Sequence, residues 1–183
     1  VPGTRMELTI DTLVPGGKAL ARPQGYPVVF IDKGIPGQRI EVEVTDVKSS
    51  RLEARRLKVL QKAENEIEPI CPHFFACGGC AWQEMSYSDQ LFWKRAHVQE
   101  TLRRVGGIEF PVPELVPSPM QTEFRNKMEF AFGSSPAGVT LGLRKRGSRE
   151  IEEVRACPIS APGIMPIVAM IRDFAGQSGL PAW

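Results

Sequence analysis

The sequence predicts a mixed fold, a small five-stranded β-barrel followed by an α+β region with an antiparallel sheet. Three observations predict it. The first seventy residues carry five short strand-like runs separated by Gly and Pro. A cysteine-rich loop then leads into one long stretch of helical periodicity. Beyond it strand patterns return, and the chain closes on an amphipathic stretch.

The first region divides as follows. Residues 6–10 alternate, Pro15, Gly16 and Gly17 turn the chain, and residues 18–22 follow. Gln24 and Gly25 lead into the apolar run 28–31. After the turn at residues 34–37, residues 39–45 alternate strictly, and residues 52–60 complete the set. Short strands at this density imply a closed barrel of the oligonucleotide-binding type, spanning residues 1–69. Such barrels often carry RNA, although a fold alone does not establish it.

Residues 70–183 form the second division. Ser86 or Ser88 is placed to cap a helix that Gly106 and Gly107 end. Leu91, Val98, Leu102 and Val105 share one face of it, while Lys94, Arg95, Arg103 and Arg104 lie largely off that face as a solvated basic surface. Residues 124–132, 138–145 and 149–154 read as an antiparallel meander, with Arg125 and Lys127 on one face of its first strand. Residues 162–175 read as a closing helix whose stripe of Ile164, Ile167, Val168, Ile171 and Phe174 belongs to a core. The tail, residues 176–181, is loop-like.

Composition narrows the partners. No apolar run approaches the roughly 20 residues of a membrane span, and no secretory leader is visible, so a cytoplasmic, non-membrane protein is expected. Nothing in the pattern asks for an obligate dimer, so a monomer is expected. The formal net charge is only +2, so any affinity for nucleic acid must come from local basic patches.

Four cysteines carry the strongest signal. Cys71, Cys77 and Cys80 fall within ten residues, and Cys157, followed by Pro158, lies far downstream. Two disulfides are arithmetically allowed, but nothing suggests an oxidising compartment. Structural zinc usually shows two ligands and two ligands at short spacing. Three plus one, closed by Cys-Pro, fits a single [4Fe–4S] cluster better, with zinc as the alternative. Gly78 and Gly79 are expected to supply a tight, left-handed backbone, Phe74, Phe75 and Trp82 an apolar shell, and His73 a local hydrogen bond. A centre with four cysteine ligands leaves no iron open to substrate, so a structural role is the first reading and redox sensing the second.

Three basic clusters are candidates for RNA phosphates: Arg125 with Lys127, then Arg144, Lys145 and Arg146 in the turn that ends at Arg149, and Arg55, Arg56 and Lys58 on the last barrel strand. Lys48, Arg51 and Lys62 extend the third, where Glu53 is the only acid between Lys48 and Lys62. Tyr26 or Phe124 is placed to stack on an unpaired base.

Taken in order, the barrel, CPHFFACGGCAWQ, FRNKMEF, GLRKRGSREI and ACPIS resemble the iron–sulfur class of RNA (uracil-5-)methyltransferases from about Met6 to Ile171. The resemblance implies a TRAM-like barrel, a cluster held by Cys71, Cys77, Cys80 and Cys157, and RNA near residues 125–127 and 144–149. It further implies 23S ribosomal RNA, or tRNA in a related branch, as substrate. A C-terminal Rossmann-type domain would bind S-adenosylmethionine and carry a catalytic cysteine that adds to C6 of uracil. That domain is absent from these 183 residues, and all four cysteines are already assigned, so no catalytic residue is named. The parent protein is expected to be an enzyme, and this stretch alone inactive. A stand-alone RNA-binding module or assembly factor with a structural four-cysteine metal site is the alternative.

Overall fold

The alternating first region becomes one curled sheet of six strands: β1 (Arg5–Thr9), β2 (Thr12–Leu13), β3 (Ala19–Ala21), β4 (Val28–Ile31), β5 (Arg39–Lys48) and β6 (Arg51–Gln61). The computed structural model describes residues 1–135 and 138–179. Leu180 and Pro181 of the expected tail lie outside them.

The strand order β1-β5-β6-β4-β3-β2 contains one parallel pair, β4 with β6; the other neighbours are antiparallel. Its two edges, β1 and β2, are one bent strand interrupted at Ile10 and Asp11. The Ile10 amide donates to the Gln38 carbonyl at 2.9 Å, on the β5 side, and the next amide, Asp11, donates to Leu20 of β3 at 3.0 Å. The bend therefore hands the chain from one edge of the sheet to the other. Counting β1 and β2 together gives the five expected strands.

Alternation explains the core. Ile40, Val42 and Val44 of β5 point inward with Leu52 and Ala54 of β6, Val29 and Ile31 of β4, and Leu8 and Ile10. Gly34 makes room for the bend: a Cβ there would sit 2.2 Å from the Ile10 Cδ1 atom. Truncating a fully buried member such as Ile40 to Ala should cost about 2–5 kcal/mol.

Contacts divide the chain into two compact units. The first joins Val1–Glu68 to Glu84–Pro117, and so includes the helix α1 (Tyr87–Arg104) as well as the barrel. The boundary expected from the sequence lies at residue 69. Side chains on α1 and the barrel explain the difference, since His97 Nε2 meets the Leu13 carbonyl at 3.1 Å. Helix α1 also holds the segment after it, with Arg95 donating to Val112 at 2.8 Å and Gln99 to Phe110 at 2.7 Å.

Ser86 caps α1 by accepting from the Asp89 amide, and Ile108 donates back to Leu102 past a left-handed Gly107. The expected apolar face is not buried: no residue of α1 is fully enclosed, and Val105 is 84% exposed. Polar side chains, rather than an apolar stripe, tie this helix down.

The second unit joins Pro69–Gln83 to the chain from Ser118 onward. Its antiparallel sheet β7 (Ala131–Ser135), β8 (Gly138–Arg144) and β9 (Ile151–Glu152) has the expected order, but its first strand begins at 131 rather than 124 and its last holds two residues where 149–154 was expected. Residues 124–130 form no ladder with β8; Arg125 instead makes a single parallel bridge to Ser160. The helix α2 (Ile164–Gln177) packs on β8 through buried Val168, and Arg172 donates to the Val154 carbonyl at 2.9 Å. Its stripe departs from expectation, because Ile167, Ile171 and Phe174 are exposed and only Val168 is enclosed.

Candidate functional site

Three turns inside the loop gather the first cysteines. The Phe74 amide donates to Cys71 at 3.1 Å, and the Cys77 amide to His73 at 2.8 Å. Phe74 is fully buried beneath them and meets Phe75 edge to face. His73 is held at both nitrogens: the Arg155 amide donates to Nε2 at 3.3 Å, so Nδ1 carries the proton it shares with Glu152 at 3.2 Å. With Nε2 accepting and Nδ1 protonated, this imidazole has no lone pair left for a metal.

Cys157 arrives from the other side of the second unit. Ser160 pins it, with its amide and hydroxyl donating to the Cys157 carbonyl at 3.1 and 2.9 Å. The segment around Arg125 clasps the same turn: the Glu123 amide donates to Pro158, the Arg125 amide to Ile159, and the Ala161 amide to Arg125. These bonds explain why residues 124–130 leave the sheet. They also bring Arg125 beside the cysteines.

Cys71, Cys77, Cys80 and Cys157 all line one cavity of 790 Å³, and all four are free thiols. Burial pushes the Cys71 and Cys80 thiols above the ordinary cysteine range, and charge on Cys77 and Cys157 pushes both further. Four thiolates here therefore need a positively charged centre among them. The donor set is soft and anionic, as an iron–sulfur cluster or zinc requires. The Gly79 amide already points at Cys77 Sγ, 3.3 Å away. The Arg146 Nε is sealed from solvent in the cavity wall without a hydrogen-bond partner. Among the described residues no three His, Cys, Asp or Glu side chains converge tightly enough to hold a single metal ion.

Gly78 and Gly79 do not adopt the expected left-handed backbone. Gly78 is required for a different reason. Its amide donates to the Arg144 carbonyl at 3.0 Å, and a Cβ would lie 3.0 Å from that oxygen and 3.4 Å from Arg146. The cysteine loop thus lies flush against the basic turn, with a bridge between Cys77 and Lys145 and a hydrogen bond from the Arg146 guanidinium to the Cys80 carbonyl.

The candidate RNA-contacting cations separate into two groups. Arg125, Lys127, Arg144, Lys145 and Arg146 all line the cysteine cavity. Lys145 pairs with Glu150 at 3.0 Å and Lys127 with Glu129 at 3.3 Å, while Arg144 is exposed. On the barrel, carboxylates answer the cations: Arg55 meets Glu43 at 3.2 Å, and Lys18 and Arg51 both meet Glu53. Lys58 is exposed. Arg56 is corrected outright: it is buried against Glu84 with 7% of its side chain accessible, which leaves no face for a phosphate. Tyr26 and Phe124 remain exposed, as stacking would require.

Residues 2–57 match the family model of the TRAM domain. The chain is similar to RNA methyltransferases. It is 44% identical to an uncharacterised RNA methyltransferase of Nitratidesulfovibrio vulgaris, over 99% of this chain and 39% of that protein. It is 29% identical to the 23S rRNA (uracil(1939)-C(5))-methyltransferase RlmD of Pectobacterium atrosepticum, over 97% of this chain and 39% of the relative. The chain therefore spans about two-fifths of the length of these relatives. The tRNA (uracil-54, C5)-methyltransferase of Pyrococcus abyssi, solved with S-adenosyl-L-homocysteine, shares the fold with a TM-score of 0.65 and 22% identity, over 97% of this chain and 38% of that one. The residues that match the TRAM domain make up most of the curled sheet described above. Among the described residues, no helix is long and apolar enough to cross a membrane.

Proposed function

We propose that this chain is the RNA-binding and [4Fe–4S]-binding part of an S-adenosylmethionine-dependent RNA uracil-C5 methyltransferase acting on 23S rRNA. One observation carries the reading: four free cysteines from two distant stretches line a single cavity whose rim holds five cations. Relatives named for 23S rRNA favour that substrate over tRNA, because the tRNA enzyme contributes only a likeness of fold.

In this reading Cys71, Cys77, Cys80 and Cys157 hold the cluster, which supplies a rigid tie between the loop and the Cys157 turn. The Gly79 amide and the Arg146 guanidinium offset its negative charge. Arg125, Lys127, Arg144 and Lys145 receive RNA phosphates at the cavity rim, and Arg55 and Lys58 add contacts from the TRAM domain. S-adenosylmethionine supplies the methyl group in this reading, and none of the residues named here is assigned to it.

The test is methylation by the full-length protein. Incubated with S-adenosylmethionine and unmodified 23S rRNA, it should yield 5-methyluridine detectable by nucleoside mass spectrometry. A full-length protein that methylates tRNA and leaves 23S rRNA unmodified would overturn the substrate, and one that methylates neither would overturn the activity.

A further inference from the structure

The cysteine loop and the basic turn are built as one object. Three hydrogen bonds join them: Gly78 amide to Arg144 carbonyl at 3.0 Å and Arg146 amide to Ala76 carbonyl at 3.3 Å, which together make the Cys77–Lys145 bridge, and Arg146 guanidinium to Cys80 carbonyl. On its other side the turn is held by β9, through Arg144 opposite Ile151 and the Lys145 amide donating to Glu150 at 2.9 Å. One flank of the turn therefore rests on regular sheet. The other rests on a loop that has no helix or strand of its own.

Beyond its hydrogen bonds to the turn and the bonds of His73 to Glu152 and Arg155, the loop encloses few apolar side chains. Phe74 is the fully buried side chain within it, and Phe75 is exposed. A segment with so few enclosed apolar contacts opens at low free energy unless ligation closes it. When it opens, the three hydrogen bonds to the turn go with it, and Arg144 and Lys145 lose the backbone that aims them.

We propose that the cysteine loop sets RNA affinity through its contact with the 144–146 turn, with Gly78 as the positioning residue: occupancy of the thiol site orders the turn, and loss of the bound group weakens RNA binding there. This rests on the RNA-binding and cluster readings above and adds a regulation to them. It makes the TRAM domain's contribution insensitive to the state of the cysteines. A Cβ on Gly78 would sit 3.0 Å from the Arg144 carbonyl oxygen, so the turn must shift by a few tenths of an ångström to admit it.

The experiment compares anaerobically purified protein with the same protein after chelation, by titrating each against one structured RNA fragment at two salt concentrations. Stripping should weaken wild-type binding about tenfold, a usual size for coupling between two sites. The pair Arg144→Ala with Lys145→Ala should be weak when loaded and should lose less than about twofold more on stripping, since the responding element is already silent. Gly78→Ala should keep its iron and acid-labile sulfide and still bind RNA several-fold more weakly.

Equal wild-type affinity in the loaded and stripped states overturns the coupling while leaving the RNA reading intact. An equal loss in wild type and in the double variant also overturns it, because the effect would not pass through the turn. Absence of RNA binding by the loaded wild type sinks the RNA reading itself, and absence of iron and sulfide sinks the cluster reading; either removes the proposal with it.

Discussion

Arg56 on β6 and Glu84, which follows the cysteine loop in sequence, meet as a two-pronged ion pair, with the Arg56 Nη1 2.9 Å from one carboxylate oxygen and 3.1 Å from the other. Gln38, fully enclosed, accepts from the same nitrogen at 3.2 Å and donates to Glu66 at 2.8 Å. The network stitches the barrel to the start of the 84–117 segment within the first unit. Removing one partner of such a pair leaves a buried charge uncompensated, at a cost of about 3–5 kcal/mol. Glu84→Ala should therefore lower the urea midpoint of the first unit by that equivalent, and a change under about 1 kcal/mol would show that water replaces the carboxylate. A chain ending at Pro69 should unfold at lower urea than one ending at Pro117, since only the longer one keeps Glu84.

Glu53 gives a dependence on pH. The hydrogen bond from Lys18 at 2.7 Å, aided by the charges of Lys18, Arg51 and Lys48, holds its carboxyl below the ordinary value of 4.5. A carboxylate with a depressed folded pKa stabilises fully above its unfolded value and loses that contribution as the pH falls through the folded one. Glu53→Gln should therefore lose less stability than wild type between about pH 6 and about pH 3, the difference being about 0.5–1 kcal/mol for a partly exposed pair. Parallel acid limbs in thermal melts of the two proteins would contradict it. The same substitution releases Lys18 and Arg51, so RNA binding at low salt should tighten.

The RNA-facing cations should separate by salt. Changing Arg144 and Lys145 to Ala should weaken binding and reduce the slope of log affinity against log salt by about 1–2. Arg56→Met, which removes an enclosed charge, should leave the slope unchanged in protein that remains folded. Equal slopes for wild type and the double variant would make the 144–146 turn a solvated surface with no phosphate contacts.

Cys77→Ser tests the division of labour between units. It should empty the site and loosen residues 69–83 and 118–179, while the barrel keeps its amide protection in hydrogen exchange. Unchanged iron content would remove Cys77 from the ligand set.

Strand content was legible: residues 39–45 and 28–31 appear as β5 and β4, and the alternation of 39–45 matches its buried Ile40, Val42 and Val44. The bend at Ile10 and Asp11 was hidden, since it depends on two amides finding different neighbours. Arg55 looked free because its partner, Glu43, lies on the adjacent strand, and Arg56 because Glu84 lies 28 residues away. Periodicity marked α1 and α2 as helices but could not say whether their apolar stripes find a cover; Val98 and Phe174 remain exposed. Gly78 was recognised as special for the wrong reason, because close approach to Arg144 leaves no trace in local sequence. The cysteines were legible as a set, and the fold does bring all four to one cavity.

Iron, acid-labile sulfide and zinc measured on anaerobically purified protein, with its visible spectrum, test the central claim most directly. A brown protein with about four iron and four sulfide per chain, and iron lost in Cys77→Ser, is the expected result. A colourless protein with one zinc or no metal would contradict the cluster assignment.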